Sequence, residues 1–277
     1  MQNGKKITAP VGTAWALSEN HFATNAHVAY GLKEVLKRQL QNFIQAKLAS
    51  QAEQDECKSV DEYLQKAGDR AQNLIDNASK QVLASIKDVR ADIIINGTRK
   101  KSFSVSHVQI HKDYGVVGTK FDPDVAVLTI QGKHDSYFKL ANKKNLKAIK
   151  AGQPIAFLGF PMELLFDNNV NIDNPVATMQ SGIVVAVSDF EMKDNGQDNN
   201  FLLRHNLPAT GGASGSPIFN QTGEVIALLY AVNIIGQVVD SGKVVRAPSA
   251  VQINFGARAD LLEGLGNAVA IKDFMKL

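Results

Sequence analysis

The stretch Ala209-Thr210-Gly211-Gly212-Ala213-Ser214-Gly215-Ser216-Pro217-Ile218-Phe219 constrains this chain more than any other. It sets a glycine-flanked serine ahead of an apolar run, Val225 to Tyr230, that reads as a buried strand. A serine hydroxyl is a poor nucleophile until a base takes its proton, so the rest of the chain must be searched for one. Ala23-Thr24-Asn25-Ala26-His27-Val28 ends an apolar strand at a histidine. Asp122-Pro123-Asp124-Val125-Ala126-Val127-Leu128 begins one at an aspartate. The three segments read together as a Ser-His-Asp apparatus, with the remainder as its scaffold.

Composition narrows what that scaffold does. A length of 277 residues with 44% hydrophobic and 21% charged residues is enough for one large domain with an ample core. A net charge of +3 points to neither nucleic acid nor an anionic membrane surface. No apolar run approaches the roughly 18 residues of a membrane-crossing helix. Met1 to Lys6 leads into no apolar signal region, so no signal peptide is read in this sequence, and a precursor could have carried one that was removed. The single cysteine, Cys57, forbids an intrachain disulfide, so packing alone must hold the fold.

Along the chain, Ile7 to Leu17 is short, apolar and β-prone, Ser18-Glu19-Asn20 turns, and His21 to Thr24 starts a second strand. From Gly31 to about Val89 apolar residues recur at three and four: first Leu32, Val35, Leu36, Leu40, Phe43, Ile44 and Leu48, then Tyr63, Leu64, Ala67, Ala71, Leu74, Ile75 and Ala78. That period predicts two antiparallel helices over 31–55 and 60–89, the second opened by a capping box of Ser59 and Glu62. After Arg90 strands return, at Asp92–Ile95, Phe103–Ile110, Val125–Ile130, Pro154–Pro161 and Met179–Val187. Asp260-Leu261-Leu262-Glu263-Gly264 reads as a short closing helix. Strands at this spacing, rich in turns, suggest an all-β barrel or sandwich.

The three motifs occur in the order His, Asp, Ser, which is the chymotrypsin-type order. Thr24-Asn25-Ala26-His27-Val28, Asp124-Val125-Ala126-Val127-Leu128 and Gly212-Ala213-Ser214-Gly215-Ser216-Pro217 resemble trypsin-like bacterial serine proteases, the Deg (high-temperature-requirement) protease domains above all. Gly12-Thr13-Ala14-Trp15, Gly159-Phe160-Pro161 and Asn254-Phe255-Gly256-Ala257 carry the same likeness. The resemblance implies a mainly β fold: a chymotrypsin-like double six-stranded β-barrel over about 7–145 and 146–255, with a C-terminal helix over 256–277. It also isolates residues 31–89 as an inserted α-helical hairpin. His27 and Asp124 stand 97 positions apart, and omitting 32–89 would shorten that interval to 39, close to what the family implies.

On this resemblance Ser214 attacks the scissile carbonyl, His27 serves as base and then acid, and Asp124 orients the imidazole. Asp122 is a rival for the last role. The N–H groups of Gly212 and Ser214 would form the oxyanion hole. Ala213 precedes the serine where zymogen-activated digestive proteases carry an aspartate, so that activation switch cannot operate. Pro208 stands where the trypsin pattern places the acid that binds Arg or Lys, which argues for a small or apolar P1 residue. Pro208, Thr210, Ala227, Tyr230 and Ala231 are the candidate pocket residues. No cofactor or metal is implied: His107 and His111 share a strand face with Gln109 but lack a third ligand at metal-site spacing.

His205 reads as a loop histidine and Cys57 as an exposed thiol in the inter-helix turn. The partners expected are polypeptide substrates, with no nucleic acid and no membrane span. Residues 32–89 are expected to serve as a lid, an exosite or a homo-oligomer contact, against the plainer reading of a decorative hairpin. The family implies an extracytoplasmic setting. The competing function is a binding or chaperone-like module whose triad is idle.

Overall fold

Apolar residues at every second position, or in short unbroken runs, place strands close to where the sequence predicts them. The computed structural model describes residues 10–85, 90–96, 101–116, 121–161, 175–231, 234–238, 244–248 and 253–276. The readings over Ile7–Ala9 and over 86–89 lie outside the described residues. In chain order the elements are β1 (Trp15–Ala16), β2 (His21–Thr24), α1 (Ala26–Gln54), α2 (Val60–Ala67), α3 (Asp69–Ser85), β3 (Asp92–Ile94) and β4 (Ser102–Ile110). There follow β5 (Ala126–Ile130), α4 (Lys143–Lys147), β6 (Pro154–Gly159), β7 (Thr178–Ser188), β8 (Leu202–His205), β9 (Pro217–Phe219) and β10 (Val225–Ala231). The chain closes with β11 (Ile234–Val238), β12 (Val244–Pro248), β13 (Asn254–Arg258), a 3-10 turn at Ala259–Gly264, β14 (Val269–Ala270) and α5 (Ile271–Phe274).

Two compact units result. The larger comprises Pro10–Tyr30 and Ala91–Phe274, and the smaller centres on Gly31–Arg90. In the larger unit the second half closes into a six-stranded barrel in the order β10-β13-β8-β7-β6-β9. The first half forms a six-stranded sheet, β1-β2-β5-β4-β14 with β3 on β4, which is not a closed barrel among the described residues. One apolar core runs through both. Trp15, Ala23, Val125 and Val127 of the first sheet join Phe157, Val184, Leu203, Ile218 and Leu228 of the barrel, all buried. Each fully buried side chain of this kind contributes about 1.5–3 kcal/mol, which is how a chain without disulfides holds two sheets together. The hairpin of β11 and β12, paired from Ile234↔Pro248 to Val238↔Val244, has no counterpart in the sequence reading.

Three expectations are corrected. The C-terminal residues are not one helix over 256–277. Leu261 and Leu262 are buried in the 3-10 turn, and Val269 and Ala270 pair with Val108 and His107 as the last strand of the first sheet. The first helix begins at Ala26, so His27 lies in a helical first turn instead of at a strand end. The predicted second helix is two, broken at Gly68, whose φ of 46° is open mainly to glycine.

The smaller unit is organised by its caps and a compact apolar cluster. The Ser59 hydroxyl accepts the Glu62 N–H at 3.1 Å, as the capping box predicts, while the Glu62 carboxylate takes the Lys58 N–H at 2.7 Å in place of that of Ser59. Tyr63 is fully buried with Leu48, Ala52 and Ala71, and Ile44, Leu74 and Ile75 pack around them. Cys57 is a free thiol, half-buried and packed against this cluster.

Candidate active site

β2 ends at Thr24, and the chain turns at once into α1 because Asn25 is tied down on the far strand. The Asn25 side-chain amide donates to the Asp124 carbonyl at 2.7 Å, and the Asn25 main-chain carbonyl accepts the Ala29 N–H at 3.2 Å. Asn25 is fully buried and Asp124 only 2% exposed. The next residue but one therefore faces Asp124. The His27 main-chain N–H donates to Asp124 Oδ1 at 2.8 Å, and His27 Nδ1 is hydrogen-bonded to Oδ2. An ionised carboxylate only accepts, so this contact assigns the ring proton to Nδ1 and leaves Nε2 as the acceptor. The His27 side chain is 40% exposed, and a buried acid is thus joined to a solvent-facing imidazole. Asp122 takes a different part: its N–H donates to the Tyr230 hydroxyl at 3.3 Å.

The serine loop is built from two successive turns. Ala213 N–H donates to the Thr210 carbonyl at 3.2 Å, and Ser216 N–H to the Ala213 carbonyl at 3.0 Å. Gly212, with φ of 86°, and Gly215, with φ of 88°, take the third position of each, where a type II turn requires positive φ. Gly215 N–H donates to the Leu229 carbonyl at 2.8 Å, which docks the loop on β10. Between these bonds the N–H groups of Gly212 and Ser214 take no partner among the described residues. The loop is also bound to the first sheet: the Thr13 N–H donates to the Ser214 carbonyl at 2.9 Å, and the Thr13 hydroxyl to the Gly212 carbonyl at 2.8 Å. A Cβ on Gly12 would lie 2.7 Å from Val28 and 3.2 Å from the Ser214 carbonyl, which brings the serine loop and the first turn of α1 against one residue. Among the described residues no hydrogen bond joins the Ser214 hydroxyl to His27.

The candidate pocket residues fall in different surroundings. Pro208 is exposed and Thr210 half-buried, with its hydroxyl buried and unpartnered. Ala227 is fully buried in the barrel core and not on an open wall, because the strand turns that side chain inward. Tyr230 packs edge-on against Phe121 with ring centroids 5.9 Å apart. Burial, then the charges of Asp124 and Asp122, holds the Tyr230 hydroxyl above its ordinary value against the opposing Asp122 N–H, so it remains a neutral phenol. Ala231 ends β10, its backbone paired with Phe255.

His205 is not in a loop: it ends β8, and it is fully buried. Its Nδ1 accepts the Leu207 N–H at 3.2 Å, while the Asn254 amide donates to the Leu207 carbonyl at 2.7 Å. The chain entering the serine loop is therefore pinned on both sides. Burial lowers the His205 pKa to about 4. His107 is exposed, whereas His111 is buried with its Nδ1 accepting the Asp113 N–H at 3.2 Å. Thr13, Asn25 and Asn254 had no assigned role in the sequence. All three stand inside quoted motifs, yet which atom each would reach depends on a segment far away in the chain.

A closed six-stranded barrel beside a six-stranded sheet, with a glycine-flanked serine loop bound to both, is the architecture of a trypsin-like serine protease. A sequence profile described as the trypsin-like peptidase domain matches residues 12–228, and the chain belongs to that family. Within the family its likeness is to Deg-type proteases. Over 113 residues it is 32% identical to a probable periplasmic serine endoprotease, DegP-like, of Pseudomonas fluorescens, a match covering 41% of this chain and 20% of that protein. The chain thus spans only a fifth of the length of that curated relative in the matched region.

Among solved structures it is similar to the HtrA-type protease AlgW with decapeptide, at TM-score 0.50 and 14% identity over 98% of this chain and 53% of the other. It is equally similar to a Glu endopeptidase in complex with MPD, at TM-score 0.50 and 13% identity over 91% of this chain and 82% of the other. At those identities the likeness is one of fold. No helix among the described residues is long and apolar enough to cross a membrane.

Proposed function

We propose that this protein is a serine endopeptidase that cleaves peptide bonds through an acyl-enzyme. Ser214 attacks the carbonyl carbon while His27 Nε2 takes its proton, and the imidazolium then gives that proton to the leaving amine. Asp124 holds the Nδ1–H and stabilises the imidazolium. The carbonyl oxygen, as it gains charge, is received by the N–H groups of Gly212 and Ser214. Water then repeats the sequence on the acyl group. The single observation that carries this reading is the double hold of Asp124 on His27, through the main-chain N–H at 2.8 Å and through Nδ1.

An exposed Pro208, with no acid at that position, favours a small or apolar P1 residue over a basic one. The substrates are polypeptides. The periplasmic assignment of the DegP-like relative supports an extracytoplasmic setting. Residues 32–89 are proposed as an insertion that recruits substrate or a second copy.

The competing reading, a binding module with an idle triad, draws on the absence of a Ser214–His27 hydrogen bond among the described residues. Fluorophosphonate labelling across pH 5 to 9 separates the two. Labelling of wild type that vanishes in Ser214→Ala and His27→Ala establishes the protease. A wild type as inert as those variants means a distorted or blocked site and favours the module.

A further inference from the structure

Thr13 is 3% exposed, and each of its polar groups is engaged at the serine loop or at the strand that leads to His27. Its N–H donates to the Ser214 carbonyl at 2.9 Å, and its hydroxyl donates to the Gly212 carbonyl at 2.8 Å and accepts the Phe160 N–H at 3.2 Å. Its own carbonyl accepts from the Thr24 hydroxyl at 2.7 Å, three residues before His27. A peptide unit is planar, so fixing its carbonyl also fixes the direction of the N–H across the bond.

The unit joining Ser214 to Gly215 is held at both ends, its carbonyl by Thr13 and its N–H by the Leu229 carbonyl. The unit joining Gly212 to Ala213 is likewise held at both ends, its carbonyl by the Thr13 hydroxyl and its N–H by the Thr210 carbonyl. The unit carrying the Ser214 N–H is fixed by the Ser216 N–H on the Ala213 carbonyl. The unit carrying the Gly212 N–H has no such bond among the described residues. Gly212 turns at φ of 86°, and its direction follows from the neighbouring unit that the Thr13 hydroxyl anchors.

We infer that Thr13 is a positioning residue of the oxyanion-binding turn: its hydroxyl aims the Gly212 N–H at the developing oxyanion. The inference rests on the protease reading above. Without the hydroxyl that unit keeps only the longer Ala213 N–H bond to the Thr210 carbonyl at 3.2 Å, and the aim of one of the two oxyanion donors is loosened. The main-chain bond to the Ser214 carbonyl survives Thr13→Val and Thr13→Ser, so the serine stays in place and substrate binding is retained.

The test compares wild type, Thr13→Val, Thr13→Ser and Ser214→Ala by fluorophosphonate labelling rate and by kcat and KM on fluorescein-labelled casein. Valine keeps the shape of threonine but has no hydroxyl. The expected result is a fall of about 100-fold in kcat for Thr13→Val, the usual scale for one lost oxyanion donor. KM should stay within about threefold, since the lost interaction acts only in the transition state. Thr13→Ser should return kcat to within a few-fold of wild type.

Thr13→Val with an unchanged kcat, alongside a dead Ser214→Ala, would overturn the role of Thr13 and leave the triad standing. A loss carried by KM would overturn it too, since that marks a general loosening of the site. If Thr13→Val does not fold, Thr13→Ala, which also lacks the hydroxyl, takes its place: a loss in kcat at unchanged KM that Thr13→Ser does not show supports the hydroxyl's role, and an unchanged kcat overturns it. A wild type that neither labels nor cleaves overturns the protease reading, and this inference with it.

Discussion

Asp124 receives two donors from the same residue, the main-chain N–H of His27 at 2.8 Å and the ring at Nδ1. The first bond fixes the carboxylate relative to the backbone, so the second fixes the ring and not merely its charge. Asp124→Asn separates these effects. An asparagine oxygen still accepts the main-chain N–H, but its NH2 group then faces Nδ1 and forces the proton to Nε2. The expected outcome is a fall in kcat of about 10⁴ with an unaltered melting temperature. Steady-state kinetics and a thermal melt check it, and activity within tenfold of wild type would remove Asp124 from the mechanism.

The serine loop tolerates side chains unequally. A Cβ on Gly215 would overlap the Thr13 carbonyl and lie 2.5 Å from the Thr24 hydroxyl, at a φ of 88°. A Cβ on Gly211 would meet nothing within 4 Å. Gly215→Ala is expected to cost about 2–4 kcal/mol in urea unfolding and to abolish activity, while Gly211→Ala stays within about 0.5 kcal/mol of wild type. Equal effects at the two positions would mean that the loop is not held against Thr13.

Arg258 is a buried cation, 2% exposed, with four of its five N–H donors paired by the bonds that follow. Nε and Nη2 donate to the two Asp260 oxygens at 2.8 and 2.9 Å, and Nη1 donates to the carbonyls of Gln197 and Asn200 at 2.7 and 2.9 Å. The guanidinium also lies 4.7 Å over the Phe201 ring. Removing one partner strands the other in low dielectric. Asp260→Asn is expected to destabilise by about 3–5 kcal/mol, and a joint Arg258→Met, Asp260→Leu change by far less. Denaturant unfolding of wild type and the two variants checks this, and a joint variant as unstable as Asp260→Asn would refute it.

His205 predicts a pH effect on stability. Burial depresses its folded pKa to about 4 from an ordinary 6.5, so the unfolded chain protonates first as pH falls. The His205 contribution is intact above pH 6.5 and is lost progressively as pH drops from 6.5 toward 4. His205→Gln keeps an acceptor for the Leu207 N–H and cannot titrate. The slope of unfolding free energy against pH in that window should flatten relative to wild type, as measured by urea unfolding at half-unit steps. An unchanged slope would show that His205 does not titrate differently on folding.

Local patterns explain how far the sequence could be read. Alternation at β4 and the apolar runs at β5, β6 and β10 marked strands to within two residues, because side-chain period and turn chemistry act over a few positions. Ser59 marked the start of α2 for the same reason. The helical start at Ala26 was not legible, since it depends on the bond from Asn25 to the carbonyl of Asp124, 99 positions away. Gly68 interrupts an otherwise sound helical pattern, and only its φ of 46° makes it a break.

By itself the sequence determined the strands at β4, β5, β6 and β10, which serine, histidine and aspartate are candidates for chemistry, and that two glycines frame the serine. Only the tertiary structure decided that Val269 and Ala270 complete the first sheet on β4, that His205 is sealed in the barrel, and that Thr13 holds the loop of Ser214. Thr13 and Gly212 are 199 positions apart, and no local propensity encodes a bond of that span. It forms because two sheets bury one continuous apolar core, and the buried N–H, carbonyl and hydroxyl groups at their junction must then pair with whatever the packing brings within reach.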